Sequence, residues 1–493
     1  MRLRVKHWIL LSVIGCLLYL GLLISPSNAN SAVDPSTIHL LNRISYGLRS
    51  GDIELVQSQG SKAYIASQLN PESLPQPPQL QRQIEELETL SLNPVELFMG
   101  YDTKASQERQ ETEPTEAEKK LARERSKEPL KQAIQAHILR AIYSPRQLQE
   151  VMVDFWFNHF NVFAGKRINR LWVGNYEESV IRPHALGKFR DLLGATARHP
   201  AMLLYLDNEQ NTAPGSPGAK GRYKGLNENY ARELMELHTL GVDGGYTQED
   251  VITLAKIFTG WSIDRRGKQG DTGFQFARGR HDFNDKVFLG QAIAGSGVAE
   301  GEKALDILAQ HPATARYISY KLSQYFVADE PPQSLVNKLA QRFQKTDGDI
   351  RLVLETLFQS EEFWDSKYYD AKFKTPYQYI ISALRTTGIK QPKIKPILGF
   401  MRQLGMIPYG CETPNGYPNT QEGWLNPDGM MRRVSFAMAL SNGHFSQDKP
   451  ANTSQIANTL GNHLSANTKE AISSSPENLR KALIIGSPEM MRR

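Results

Sequence analysis

The 493-residue sequence has two cysteines, Cys16 and Cys411. That scarcity excludes a disulfide-stapled scaffold and a zinc or iron–sulfur site built from thiolates. It also lacks a strong charge: 58 basic residues stand against 52 acidic ones, a net +6. Over this length the excess is too small to argue for nucleic acid. A Gly-x-Ser-x-Gly elbow is missing, and Cys411 has no histidine close in sequence, so nucleophilic catalysis has no positive support. Only one segment is long and apolar enough to approach a membrane span, and it lies at the N-terminus. What is present in quantity is apolar surface, 40% of residues against 22% charged, enough for a buried core and too much for global disorder.

The N-terminus has the order of an export signal. Arg2, Arg4 and Lys6 precede an apolar run, Trp8–Ile24, broken only by Ser12, and a small, polar stretch follows. Ser27-Asn28-Ala29 fits the small-x-small cleavage rule, which makes residues 1–29 the signal peptide and leaves 55 basic against 52 acidic residues in the mature chain. A 17-residue run is at the short limit for spanning a bilayer, so an uncleaved anchor is the alternative, and membrane contact is expected only through that segment. The lipoprotein pattern around Cys16 is weakened by the apolar Leu17–Leu20 behind it. The expected location is periplasmic or extracellular. Cys411 is expected to be a buried thiol.

The body reads as mainly α, a multi-helix body with long loops. Ser144-Pro145-x-Gln147 reads as a capping box with proline at the first helical position. Leu148, Val151, Met152, Phe155 and His159 then share a face. A helix is expected over Asn227–Leu240, stopped by Gly241. Thr247-x-x-Asp250 caps another, and His311-Pro312 opens another with Ile318, Leu322 and Phe326 as its stripe. Helices are also expected near 335–345, 350–358 and 376–387. Strand evidence is limited to at most a short hairpin near 273–288, where Phe274 and Phe276 alternate. The chain divides into a helical domain over 34–441 and a C-terminal part, 442–493, in which a Ser/Asn/Thr-rich linker over 445–475 precedes a helix at Asn478–Ile485. Lys104–Glu128 reads as a charged insertion. Asn211–Gly225, with Lys220, Arg222 and Lys224, reads as a Gly/Pro-rich loop or lid, with an anion cradle as the sharper alternative. Leu357–Phe363 and Ile484–Met490 echo each other as helix ends followed by a serine-capped start.

Three polar groups could carry chemistry. On the Asn227–Leu240 helix, Glu228, Arg232 and Glu236 fall at i, i+4 and i+8, with Glu233 and Glu236 at i, i+3. That edge is either a salt-bridged surface or a carboxylate site for a divalent metal or acid–base work. It holds no His-Glu-x-x-His and no Glu-x-x-His, so the zinc-peptidase and di-iron patterns are absent. His159 continues an apolar face, beside Asp154 and Asn158, at a helix end that would favour its charged form. His281 and Asp282 open a dense polar hexapeptide, readable as a site or as a turn capped by Asp and Asn. Tyr409, Tyr417 and Trp424 in the turn-rich stretch Pro408–Gly429 either stack on a polysaccharide or anchor their own loop.

Taken together, the segments resemble a large, mostly bacterial family known only as domain of unknown function 1800. The resemblance rests on Leu40–Gly47, Phe155–Phe160, the Asn227–Gly241 helix running into Gly244–Asp250, Phe258–Trp261, His281–Phe283, His311–Ala315, Lys374–Tyr377 and Trp424–Pro427, in that order. It implies an exported or envelope-associated protein and a sulfatase-like envelope protein as a partner. It lends no activity. It directs attention to His159, the Glu228–His238 helix and His281-Asp282 as one shared site. In that expectation His159, Glu233, Glu236 and His281 are metal ligands, Glu228 adds a carboxylate, and Arg232 orients the carboxylates or binds an anion. The rival is a non-catalytic envelope scaffold.

Overall fold

The computed structural model describes residues 33–103, 105, 115–446, 451–461 and 463–493. The signal and anchor readings of residues 1–29 lie outside the described residues. Contacts gather Pro35–Arg493 into a single unit. The described residues are 61% helical and 4% strand, so the protein is mainly α. No helix among the described residues is long and apolar enough to cross a membrane.

The helix Pro376–Thr386 is central, with all eleven of its residues buried. Its Thr375 capping box starts it, and Pro376 occupies the first turn, where a missing N–H costs nothing. Tyr377, Ile380, Ile381 and Leu384 are each almost fully enclosed, and each such side chain is worth about 1.5–3 kcal/mol of burial. Arg385 ties this helix to the start of the domain. Its guanidinium donates to the Gly47 carbonyl (3.0 Å), to the Ile142 carbonyl (2.9 Å) and to Asp52 (3.1 Å). Gly47 has φ +99°, and a Cβ there would meet Ser382 Oγ at 2.3 Å, so only glycine lets the first helix, Pro35–Ile44, turn this close to the centre.

Against this helix packs Glu128–Tyr143, followed by Gln147–His159. The latter buries Leu148, Val151, Met152, Phe155 and His159 as the 3.6 period predicts. Its start differs from expectation. Ser144 Oγ accepts from the Arg146 N–H (3.1 Å), and Gln147 Oε1 accepts from the Tyr46 N–H (3.1 Å). The glutamine is spent on a segment 101 residues away rather than on a capping box. The Thr247 capping box and the His311-Pro312 start form as expected, His311 Nδ1 accepting from the Ala313 N–H. Helices Gln333–Lys345 and Ile350–Phe358 are also in place.

The four strands form two antiparallel pairs. β1 (Trp261–Ile263) pairs with β2 (Phe274–Phe276), and β3 (Lys286–Phe288) with β4 (Gln291–Ile293). The segment expected to hold one hairpin thus supplies one strand to each of two. Within the charged insertion, Glu116–Arg125 is a helix that buries none of its residues. The Ser/Asn/Thr-rich stretch expected as a linker carries helices Thr453–Thr459 and Ala466–Ser474, before Glu477–Ile485. The internal echo is capping chemistry: Ser360 Oγ accepts from the Phe363 N–H and Ser487 Oγ from the Met490 N–H, each at 3.3 Å.

Candidate functional site

Two helices in this fold contain a π-helical stretch, Tyr176–Ile181 and Leu234–Thr239. Such stretches often occur at functional sites. The first carries Glu177, which is 1% exposed and held on several sides. Arg182 donates to its Oε1 (3.0 Å), Tyr409 donates its hydroxyl proton to Oε2 (2.8 Å), and His137 Nδ1 lies 2.8 Å from the same Oε2. Burial alone would raise this carboxyl, but the charges of His137, Arg182 and Arg140 hold it well below the usual range. Arg182 also grips Glu150 (2.9 Å), and Arg140 grips Glu178, so the network is balanced charge by charge.

His137 comes from the buried face of Glu128–Tyr143. Burial pulls its pKa down, but Glu177 and Asp154 outweigh that and raise it. With Nδ1–H given to Glu177, its Nε2 faces Asp154 Oδ1 at 3.8 Å, too far for a hydrogen bond and suited to a bridging water or substrate atom.

Asp154 is the least satisfied group here. Its side chain is 20% exposed, and its carboxylate accepts no hydrogen bond from any described residue. Burial, reinforced by the negative Glu177 and only partly offset by His137, lifts it to about 6. Asp154 lines two adjoining cavities of about 30 Å³ each, together with Asn158, Met406 and Tyr417. Each has room for a water or two. His137, Tyr377 and Tyr409 line the first, and His159, Lys321 and Gln378 the second. Tyr377 is 2% exposed and its hydroxyl has no hydrogen-bond partner. Lys321 has no ion pair or hydrogen bond with any described residue, and burial lowers its pKa.

The roof is the loop Met406–Tyr417, fastened by two asparagines from the same helix end as Asp154. Asn158 pairs with the Tyr417 backbone both ways, Nδ2 donating to its carbonyl (3.0 Å) and Oδ1 accepting from its N–H (2.7 Å). Asn161 Nδ2 donates to the carbonyls of Cys411 and Thr413. Gly416 lets the loop come this close: it has φ +73°, and a Cβ would meet Asn158 O at 2.3 Å. Tyr409 adopts φ +61°, a left-handed conformation that strains a non-glycine residue, and this delivers its hydroxyl to Glu177. Cys411 is free and buried.

The residues singled out from sequence are brought together only in part: His159 and Tyr417 share the second cavity and Tyr409 and Tyr417 the first, while His281 and Asp282 belong to a separate cluster. His159 lies on the second cavity, donating Nε2–H to the His238 carbonyl (3.1 Å). Burial, helped by the Lys321 charge, pushes its pKa well below the usual value, so it is neutral, contrary to the charged form a helix end would favour. His281 is elsewhere. Its Nε2 meets Glu300 Oε1 (2.8 Å) and its Nδ1 the Thr259 carbonyl (2.8 Å). Lys286 closes the cluster on Glu300 Oε2 (2.7 Å). Both ring nitrogens are engaged by protein oxygens, so neither faces an open position; the cluster fastens the chain between β2 and β3. Asp282 Oδ1 accepts from the Asn284 N–H (3.0 Å), as the turn reading expects. Glu228 and Arg232 form an i, i+4 pair (3.1 Å) bridged by Gln248. Glu233 is raised by burial and by Glu236. Among the described residues no group of three or more His, Cys, Asp or Glu is placed to hold a metal ion.

All three loop aromatics act as anchors. Tyr409 bonds Glu177, Tyr417 donates its hydroxyl to the Ile407 carbonyl (3.1 Å), and Trp424 Nε1 donates to the Pro418 carbonyl (2.7 Å). Sequence reasoning missed His137, Glu177, Lys321 as an unpaired cation, and Tyr377.

A family model described as "Protein of unknown function (DUF1800)" matches residues 39–492, nearly the whole chain, so the chain belongs to that family. No curated protein and no solved structure matches it.

Proposed function

We propose that this member of the DUF1800 family is an exported envelope protein that carries out acid–base catalysis at Asp154. The observation that carries the reading is the Asp154 carboxyl: unbonded, at the junction of two cavities, with a pKa near 6. Polar groups in a folded interior are normally satisfied, and a carboxyl tuned toward the working pH is what proton transfer requires. Ionised Asp154 takes the proton of a water or substrate hydroxyl in the cavity. His137, fixed in orientation by Glu177 and Tyr409, faces the carboxylate with Nε2–H. Lys321, with no carboxylate partner, stabilises negative charge that develops on the substrate. Substrate entry requires the Met406–Tyr417 roof to lift. The His159, Glu233, Glu236 and His281 ligand set does not converge, so no step passes through a metal. Export makes an envelope or extracellular polymer the substrate class.

The test is a panel of chromogenic ester, glycoside and amide substrates turned over by the mature chain, residues 30–493. Asp154→Asn and His137→Gln should each lose about 10²–10⁴-fold in rate while remaining folded. Turnover that Asp154→Asn leaves unchanged rejects the assignment.

One observation favours the scaffold reading. Helix Pro427–Ser441 leaves Met431 (71%), Val434 (50%) and Met438 (37%) exposed at i, i+3 and i+7, a stripe of the kind that docks on a partner. A stable complex with the sulfatase-like envelope protein, lost on Met431→Glu, would support it.

A further inference from the structure

The first cavity holds three polar groups that the fold does not use. The Asp154 carboxylate accepts no hydrogen bond from any described residue. The Tyr377 hydroxyl is buried without a partner. His137 gives Nδ1 to Glu177, and its Nε2 stops 3.8 Å from Asp154. The neighbouring polar groups are spent. The Tyr409 and Tyr417 hydroxyls donate to Glu177 and to the Ile407 carbonyl, and the Asn158 and Asn161 amides hold the roof. Tyr377 and His137 are ring neighbours, their centroids 5.1 Å apart. Two proton donors thus share with one proton acceptor a cavity walled otherwise by Phe157, Met406, Ile407 and Pro408.

What the walls lack narrows the chemistry. No serine, threonine, cysteine or lysine lines the first cavity, so the common covalent nucleophiles are not at hand. Asp154 is the only carboxylate that lines either cavity, whereas glycoside hydrolysis uses a pair. A single base set against two donors fits removal of a proton from carbon beside a carbonyl. The base takes the C–H proton, and the donors hold the oxygen on which charge collects.

The second cavity adds a cation. It shares Asp154, Asn158, Met406 and Tyr417 with the first. Gln378 is spent there, donating to the Tyr325 hydroxyl (3.1 Å) and accepting from the Thr375 N–H (3.1 Å). Lys321 is not: it has no ion pair or hydrogen bond with any described residue, and its ammonium stands 6.0 Å from the centroid of the Tyr317 ring. An unpaired ammonium suits a carboxylate. A substrate that fills both cavities around Asp154 therefore carries a carboxylate next to its carbonyl.

We propose that the two cavities together bind an α-keto acid group, free or at the end of a larger molecule, and that Asp154 enolises it. The carboxylate lies on Lys321 and the keto oxygen on Tyr377 and His137. Asp154 removes a proton from the carbon on the far side of the carbonyl. The C–H electron pair becomes the carbon–carbon double bond, and the carbonyl pair moves onto oxygen, where the two donors stabilise it. Return of a proton to carbon completes the cycle, so the step is redox-neutral and consumes no co-reactant. The proposal rests on the reading of Asp154 as a proton acceptor; the substrate class and the catalytic role of Tyr377 go beyond it.

The test follows exchange of the methyl protons of pyruvate for deuterium by NMR, with the mature chain in heavy water and a chelator present to suppress exchange by trace metal. Acetone, which lacks the carboxylate, is the comparison, and each rate is divided by its own rate without protein. Asp154→Asn should lose about 10²–10⁴-fold in pyruvate exchange. Tyr377→Phe should lose about 10²–10³-fold in kcat with no fall in melting temperature, because the hydroxyl it removes is unpaired. Pyruvate should exceed acetone by about tenfold or more, and Lys321→Met should remove that advantage by raising KM. No exchange above the protein-free rate, an unchanged rate in Tyr377→Phe, or acetone exchanged as well as pyruvate would each overturn the proposal. Absence of exchange while Asp154 titrates near pH 6 would remove the enolisation alone; absence of exchange with an ordinary carboxylate titration would remove the Asp154 reading with it.

Discussion

Replacing Asp154 with asparagine should make the protein more stable and less active at once. The carboxyl has a pKa of about 6 in the folded chain against an ordinary value of 3.8. A folded pKa above the unfolded one means the native state holds the extra proton between the two values. Stability contributed by this group is therefore greatest below pH 4, falls as pH rises toward 6, and stays low above it. The difference of roughly two units corresponds to about 3 kcal/mol at neutral pH. Asparagine keeps the shape and removes the charge. The variant should gain about 3 kcal/mol over wild type at pH 7.5 and about 1.5 kcal/mol at pH 5. For a domain of this size that is a melting shift of about 3 °C at the higher pH. The assay is paired thermal melts of residues 30–493 across this range, read as variant minus wild type. An asparagine variant as stable as wild type, or less stable, at pH 7.5 would refute the argument, because it would mean that the native carboxylate is satisfied.

The difference reading matters because the protein as a whole should be acid-labile. His39, His199 and His238 are each pushed down to about 3, chiefly by burial. Their neutral forms fit the fold, so stability is lost as pH falls below their unfolded value of 6.5, by about 2 kcal/mol for each at pH 5; melts from pH 7.5 to 5 check this. Glu300→Gln should cost about 3–5 kcal/mol, since it strands the buried Lys286 charge, and should unfold the two hairpins first, visible as fast amide exchange there. Gly416→Ala forces a Cβ against Asn158 and should cost about 1–3 kcal/mol, measured by denaturant unfolding. Mass spectrometry of chain recovered from the envelope fraction should find Asn30 as the first residue.

How far the sequence could be read depended on the range of the interactions. Local chemistry was legible. Thr247 with Asp250, and His311 with Pro312, cap helices by contacts within three residues, and the apolar stripes obey the 3.6 period. Gln147 misled because its partner, Tyr46, is far away in the chain. The Glu228–His238 helix drifted from its expected register because its second half is π-helical, and an extra residue per turn changes which side chains share an edge. Asp154 and Asn158 stand out beside His159 in the sequence, but nothing local marks His137 and Glu177. They sit on mostly apolar helix faces, and their meaning appears only when the helices pack and place Nδ1 against a carboxylate 40 residues on. The signal that could have found them is a charged residue on a face otherwise built for burial.

The central claim is that Asp154 is a tuned, unsatisfied carboxyl. It can be read directly by labelling the aspartate carboxyl carbons with ¹³C and assigning the Asp154 resonance by its absence in Asp154→Asn. The account predicts titration of that resonance near pH 6. Titration at or below pH 4 would show an ordinary, stabilised carboxylate and would contradict it.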